Sequence, residues 1–324
     1  MTKVLITGIC GFIGHHLAAY LLRETDWLIV GLDRIDSAGD QNRITPDPRL
    51  VVVHHDLRAE LNPGVSQIVF SGRYRFDSGP FDYIAHLSAA SHVERSVVDP
   101  IGFVQDNVIG TAHLLEFARK CLRHGGKTLY FSTDEVFGPA PEGVSFGPYD
   151  PHTPNNPYAG TKSAAESLCP AWVNTFGLPI ITSHCTNVFG EQQHPEKFIP
   201  MLIEKIRRGE KILIHADKTK TRPSSRFYTY VENVCSAVLT LLREPYKGYE
   251  KFNISGGEEI SNLVVAQKVA ELLGKPLKYE LVDFVPGRPR HDQRYAVDDS
   301  SLRELGWAPH VTFEEGLRRV VNAS

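Results

Sequence analysis

The stretch Val4-Leu5-Ile6-Thr7, followed at once by Gly8-Ile9-Cys10-Gly11-Phe12-Ile13-Gly14, constrains this chain more than any other. A short apolar run, three glycines spaced by three, and then the helical pattern His15–Leu22 read as strand, tight turn and helix. Glycine supplies the backbone freedom such a turn needs and lets N–H groups approach a ligand closely. By themselves the glycines would be explained by a tight turn alone. The first half of the chain, however, repeats the unit. Leu28–Leu32, Leu50–His54, Tyr83–Leu87, Thr128–Phe131 and Ile180–His184 read as strands, with helices such as Val108–Leu122 and Lys162–Phe176 between them. This alternation predicts an α/β fold with a doubly wound parallel sheet.

Asp33 stands nineteen residues beyond Gly14, at the end of the second predicted strand. An acidic residue there accepts from ribose hydroxyls and repels a 2′-phosphate, so the expected cofactor is NAD on a Rossmann sheet. Arg34, the next residue, is of the kind that accommodates a 2′-phosphate and argues the other way. Asp56-Leu57, after the third strand, is placed to meet the adenine; a helix cap is the plainer reading of Asp56. The expected cofactor contacts are therefore Gly8, Gly11, Phe12, Ile13, Gly14, Asp33, Asp56 and Leu57, joined further along the chain by Tyr158 and Lys162, with the first helix N-terminus facing the pyrophosphate.

The chain has 324 residues, 42% of them hydrophobic, enough for a full core and a second lobe. We expect a dinucleotide-binding domain over 1–185, with a return segment near 228–254, and a smaller α/β substrate lobe over 186–324. A formal charge of −3 gives no basic field for nucleic acid and no polybasic membrane anchor. Five scattered cysteines without CxxC spacing read as reduced thiols, and the fourteen histidines include no HExxH, so no metal is expected. The run Val4–Ile6 is too short for a signal sequence and no apolar run reaches membrane-spanning length, which predicts a cytoplasmic protein. Gly64–Pro80 is irregular and reads as a surface excursion with at most a short helix. Beyond residue 190 we expect a helix His194–Arg208 entered through Pro195, a strand Lys211–His215, and a basic loop Asp217–Arg226. Helices Glu232–Leu242 and Asn262–Leu273 follow, and then an Arg- and Pro-rich stretch, Val285–Trp307.

Two segments carry the chemistry. Ser132-Thr133-Asp134-Glu135 sets a hydroxyl and two carboxylates at the end of a predicted strand, where open α/β sheets place reacting groups. Tyr158 and Lys162 share a helix face at i, i+4 spacing. An ammonium nearby favours the phenolate, so Tyr158 is suited to take a proton from an alcohol whose hydride goes to NAD, with Thr133 orienting that alcohol. The bland readings are a surface Tyr–Lys pair and an N-cap at Asp134. Beside an oxidised sugar the two acids acquire a task. A ketone acidifies the adjacent C–H, Glu135 removes that proton, and Asp134 protonates the departing hydroxyl.

Gly8-x-x-Gly11-x-x-Gly14 with Tyr158-x-x-x-Lys162 resembles the extended short-chain dehydrogenase/reductases. Ser132-Thr133-Asp134-Glu135-Val136-Phe137-Gly138 is similar to the nucleotide-sugar 4,6-dehydratases among them, most closely the dTDP-glucose branch. Supporting segments are Ala89–Ser96, which contains Ser91, then Asn187–Gly190, His194–Pro200 and His291–Tyr295. The resemblance implies that Thr133, Tyr158 and Lys162 serve oxidation at sugar C4, with Asp134 the acid at C6 and Glu135 the base at C5. It also implies that Ser91, Asn187, Lys197, Arg226, Asn253 and Arg294 bind the nucleotide sugar; Arg222 and Arg288 read by themselves as ordinary solvated loop residues. A homodimer through a four-helix bundle of Val108–Leu122 and Lys162–Phe176 is part of the same expectation. Departures fall at Asn187-Val188, Phe227-Tyr228 and Pro286–Arg290, on the substrate side.

The expected activity is thus an NAD-retaining lyase that converts a dTDP- or UDP-glucose to its 4-keto-6-deoxy form. A 4-epimerase of the same fold would leave Asp134 and Glu135 without a task. A non-catalytic NAD-binding sensor would leave Thr133, Tyr158 and Lys162 unexplained.

Overall fold

The computed structural model describes residues 1–36, 39–61, 67–71, 80–245, 248–283 and 293–324. Most of Gly64–Pro80, the Pro286–Arg290 segment with Arg288, and His291-Asp292 lie outside them. In chain order the first elements are β1 (Lys3–Thr7), α1 (Phe12–Glu24), β2 (Leu28–Asp33), β3 (Leu50–His54), β4 (Gln67–Ser71) and β5 (Phe81–His86). After these come α2 (Val93–Val98), α3 (Pro100–Val104), α4 (Gly110–Cys121), β6 (Leu122–Thr133), α5 (Pro157–Phe176) and β7 (Ile180–Cys185). The chain continues with β8 (Asn187–Phe189), α6 (Phe198–Arg207), β9 (Ile212–His215), β10 (Ser225–Tyr230), α7 (Val231–Arg243) and β11 (Glu250–Ile254). It ends with β12 (Glu259–Ser261), α8 (Asn262–Leu272), β13 (Tyr279–Val282), α9 (Ser300–Glu304) and α10 (Phe313–Ala323).

The chain forms two compact units, 1–136 with 154–184 and 235–252, and 137–153 with 185–234 and 253–324. In the first, an eight-stranded sheet runs in the order β11-β7-β6-β5-β1-β2-β3-β4. The pairs β1–β2, β1–β5, β2–β3 and β5–β6 are parallel. The chain winds outward from β1 through β2 and β3, then resumes on the other side at β5, so a topological switch lies between β1 and β5. β1 is buried along its whole length because helices cover both faces of such a sheet. One face packs Leu5, Val30, Val51 and Ile84 against Leu114, Leu115 and Ala118 of α4 and Ala165 and Cys169 of α5. Each fully buried Leu, Ile or Val there contributes about 1.5–3 kcal/mol of transfer free energy.

The sheet corrects one expectation. Within Gly64–Pro80 the chain forms β4, antiparallel to β3 at the sheet edge, instead of at most a short helix. A strand that runs antiparallel to its predecessor needs no crossover helix, so the missing helical pattern was itself the signal. The helix predicted from His194 also starts later, at Phe198, because residues 191–196 form turns rather than a helical first turn.

The second unit holds a three-stranded sheet, β12-β10-β8, and a parallel pair, β13–β9. Phe189 of β8, Tyr228 of β10 and Phe313 of α10 form a ring cluster at its core. The predicted basic loop therefore ends in β10, which begins at Ser225. Among the described residues no helix is long and apolar enough to cross a membrane.

Candidate active site

Because β1, β2, β3, β5 and β6 run parallel, the segments following them emerge at one edge of the first unit's sheet. The glycine turn follows β1. Gly8 has φ +71°, and a Cβ on Gly14 would lie 2.0 Å from the Gly8 carbonyl oxygen, so neither position tolerates a side chain. No side chain caps the N-terminus of α1 at Gly11, which leaves the N–H groups of its first turn, Phe12 and Ile13 among them, facing outward. Such a terminus favours an anion.

Asp33, at the end of β2, is buried and accepts from the N–H of Cys10 at 2.9 Å and of Ile35 at 2.8 Å. Each carboxylate oxygen keeps a second lone pair for a ribose hydroxyl. Burial raises its pKa, against the pull of those two amides. Arg34 makes a bidentate pair with Asp106, at 2.6 and 3.0 Å, and a third bond to Asp36 at 2.6 Å. With its fork engaged in this way, Arg34 is not poised for a 2′-phosphate. Asp56 pairs with Arg58, while buried Leu57 accepts from His113 Nδ1 through its carbonyl at 2.8 Å.

The acidic run leaves β6 as a single 3₁₀ turn, Asp134–Phe137. Thr133 Oγ1 donates to Asp134 Oδ1 at 3.2 Å and accepts from the Glu135 N–H at 3.4 Å. Thr133 and Asp134 are buried and Glu135 is half-buried. Helix α5 begins at Pro157, whose fixed φ suits a first helical position, and is capped by Asn156, whose Oδ1 accepts from the Ala159 N–H at 2.8 Å. Tyr158 and Lys162 lie on α5, both buried. The Lys162 ammonium donates to the Phe131 carbonyl at 2.7 Å and sits 4.3 Å from the centroid of the Tyr130 ring. Burial pulls its pKa down to about 8, with Glu166 opposing. The structure thus brings Thr133, Asp134 and Glu135 together and ties the Lys162 side chain to the same strand.

A polar chain behind these residues was not legible in the sequence. Thr111 Oγ1 donates to the Asn107 carbonyl at 2.6 Å, so it accepts from His86 Nε2 at 3.0 Å. His86 Nδ1 then accepts from Thr7 Oγ1 at 2.8 Å. Burial, with Lys162 adding to it, holds His86 neutral at a pKa of about 3. Asn107 Nδ2 donates to Thr161 Oγ1 at 2.9 Å and to the Ala90 carbonyl at 3.0 Å, and its Oδ1 accepts from the Ala90 N–H. It thereby fixes the loop after β5, beside exposed Ser91. An asparagine inside a helical run carries no local signal of such a task.

The remaining predicted residues lie in the second unit. Asn187 is exposed on β8, and Lys197 is half-buried at the N-terminus of α6. Arg226 on β10 donates to the carbonyls of Ser225 at 2.6 Å and Gln293 at 3.0 Å, and its guanidinium lies 4.7 Å from the Tyr295 ring centroid. Arg294 donates to Glu259 at 2.9 Å and to the carbonyls of Pro141 at 2.7 Å and Val144. Asn253 is corrected: it is fully buried, and its amide holds the carbonyls of Phe146 at 2.9 Å and Asp298 at 2.8 Å. It has no surface to offer a ligand. Arg222 is exposed and pairs with Glu142, a solvated contact as expected. A cavity of about 700 Å³ in this unit, lined by Glu258, Asp298, Asp299 and Arg303, includes none of the predicted residues.

A glycine turn, an acidic strand end and a helix bearing the Tyr158/Lys162 pair, assembled on one wound sheet, define the extended short-chain dehydrogenase/reductase class. Within that class, the chain belongs to the GDP-mannose 4,6 dehydratase family, whose model matches residues 5–320. It is 35% identical to the dTDP-glucose 4,6-dehydratase of Haemophilus influenzae, over 99% of this chain and 97% of that one. It is 36% identical to the low-salt glycan biosynthesis protein Agl12 of Haloferax volcanii, over 98% and 97%. Among solved structures it is similar to the dTDP-glucose 4,6-dehydratase DesIV of Streptomyces venezuelae with NAD and TYD bound. There the TM-score is 0.84 at 30% identity, over 99% of this chain and 96% of that one. The UDP-glucose 4-epimerase of Thermus thermophilus, in complex with NAD, superposes with a TM-score of 0.82 at 26% identity, over 99% and 98%.

Proposed function

We propose that this chain is an NDP-hexose 4,6-dehydratase that converts a dTDP- or UDP-glucose to the 4-keto-6-deoxy sugar. One observation carries the reading. Thr133, Asp134 and Glu135 are linked to one another and, through Phe131 and Asn156, to the helix that bears Tyr158 and Lys162. Relatives named as dTDP-glucose 4,6-dehydratases support it along nearly the whole chain. A 4-epimerase would use the Tyr158/Lys162 pair but neither carboxylate.

The cradle at Gly14, the uncapped start of α1 and the lone pairs of Asp33 fit NAD. When bound, NAD supplies a reversible hydride acceptor for the sugar. The chain's own residues handle the protons. Tyr158 takes the C4 hydroxyl proton, helped by the Lys162 charge, while Thr133 orients that hydroxyl. Glu135 then removes the C5 proton. The C5–H electron pair forms the C5–C6 double bond as the C6–O bond breaks, and Asp134 supplies the proton that makes the leaving group water. The hydride that bound NAD would hold is due at C6, Glu135 gives its proton back to C5, and the proton gained by Tyr158 replaces, by exchange with solvent, the one lost by Asp134, so the net change is loss of one water. Arg226 and Lys197, with Asn187 and Ser91, are our candidates for the nucleotide sugar, since guanidinium offers paired donors to a diphosphate.

Incubation with dTDP-, UDP- and GDP-hexoses tests the reading. A 4-keto-6-deoxy product without net NADH is expected from at least one glucose nucleotide. A product that keeps its C6 hydroxyl sinks the dehydratase reading. We further propose a cytoplasmic homodimer. Five unbridged cysteines accord with a reducing compartment. Phe176 at the end of α5 is about half exposed beneath the Arg119 guanidinium of α4, an apolar surface for helix pairing. Sedimentation analysis of the purified protein checks the dimer.

A further inference from the structure

Asn156 does two things with one amide. Its Oδ1 accepts from the Ala159 N–H at 2.8 Å and so caps α5. Its Nδ2 donates to Glu135 Oε2 at 2.9 Å. A capping asparagine needs only its oxygen, and serine or aspartate serves that role equally well. The nitrogen is therefore surplus to the cap, and it is directed at one of the two carboxylates of the acidic run.

We propose that Asn156 is a positioning residue for Glu135, fixing the carboxylate that takes the C5 proton relative to the helix that carries Tyr158 and Lys162. This inference rests on the dehydratase reading and on the assignment of Glu135 as the base. The physical argument is one of rotamers. A glutamate has three side-chain torsions, and proton abstraction needs its carboxylate within hydrogen-bond reach of one C–H. Thr133 Oγ1 accepts from the Glu135 N–H, which orders the backbone of the turn, and the Asn156 amide reaches the carboxylate itself. The Asn156 amide ties Oε2 to the cap of α5. Because Asn156 stands two residues before Tyr158 on the same helix cap, the base and the Tyr158/Lys162 pair share one rigid reference. Misplacing a reacting group by about 1 Å costs on the order of 100-fold in rate. The amide is neutral, so its contribution is orientation without an added charge.

Two variants separate positioning from capping. Asn156→Asp keeps the cap acceptor and removes the donor, and Asn156→Ser does the same without adding charge. Both should keep the thermal midpoint within a few degrees of wild type. Starting from the nucleotide hexose that the wild type dehydrates, C4 oxidation should proceed at close to the wild-type rate, read as transient reduced-nicotinamide absorbance. Solvent-deuterium incorporation at C5 and product release should slow about 10-fold or more, so the reduced cofactor accumulates. Asn156→Gln, which carries the same donor on a longer arm, should recover part of the lost exchange rate. Variants in which both steps stay at wild-type rate, or slow equally, overturn the positioning role. Wild-type protein that dehydrates none of the nucleotide hexoses overturns the dehydratase reading, and the inference with it.

Discussion

Ser132, one residue before the acidic run, donates its hydroxyl to Glu166 at 2.8 Å, and both residues are buried. Glu166 stands one turn beyond Lys162 on α5 and also accepts from Lys251 at 2.9 Å and from His184 at 3.0 Å. A single carboxylate thus joins β6, β7, β11 and α5 behind the proposed reacting groups. Removing one partner of a buried charge network leaves the others uncompensated.

Glu166→Ala should therefore destabilise the protein by about 3–5 kcal/mol, the cost of leaving buried Ser132 and His184 and the half-buried Lys251 ammonium without their shared carboxylate. Glu166→Gln keeps an acceptor for Ser132 and should cost less, about 1–3 kcal/mol. Denaturant titration of the first unit's transition measures both. An alanine variant as stable as wild type would show that the network contributes nothing.

Lys162 gives a pH signature with a definite sign. Burial lowers its pKa to about 8, so at neutral pH the fold carries a desolvated charge. In the unfolded chain the ammonium titrates near about 10.4. Between about pH 8 and 10.4 the unfolded state binds more protons, so this residue's contribution to stability rises with pH across that window. Thermal midpoints of Lys162→Met should lack this rise. The ammonium that assists Tyr158 is lost over the same range, so C4 oxidation should decline above about pH 8.

Asp134→Asn should separate the two halves of the reaction. General acid catalysis contributes on the order of 100-fold or more, so water loss should slow by at least that factor. C4 oxidation should continue, visible as enzyme-bound reduced nicotinamide that does not decay. If both steps fall together, Asp134 serves the oxidation as well and its assignment to C6 is wrong.

Arg294 discriminates a structural bracket from a diphosphate ligand. Its contacts to Glu259, Pro141 and Val144 predict that Arg294→Met lowers the thermal midpoint by several degrees, since a lost charge-assisted bond costs about 1.5–3 kcal/mol. Arg226→Met should chiefly raise KM for the nucleotide sugar. An Arg294 variant with unchanged midpoint and raised KM would reverse the two roles.

The legible part of the site was the local part. Gly8, Gly11 and Gly14 announce a turn because only glycine survives a Cβ contact of 2.0 Å, as the structure shows at Gly14. Tyr158 and Lys162 share a face because a helix repeats about every 3.6 residues, and Thr133-Asp134-Glu135 sits at a strand end because the apolar run stops there. β4 escaped notice because its stretch lacks the alternation that marks a strand.

Sequence by itself determined the wound α/β sheet, the glycine turn and the set of candidate reacting groups, since each follows from periodicity and turn chemistry within about twenty residues. Tertiary structure alone decided which side chains support them. Asn156 meets Glu135 across twenty-one residues, Ser132 meets Glu166 across thirty-four, and Thr7 meets His86 across seventy-nine. It also decided that Asn253 is walled in, held to carbonyls 107 and 45 residues away. Hydrogen bonds of that range depend on how strands and helices pack, and no local pattern encodes the distance between two residues that only the folded sheet brings together.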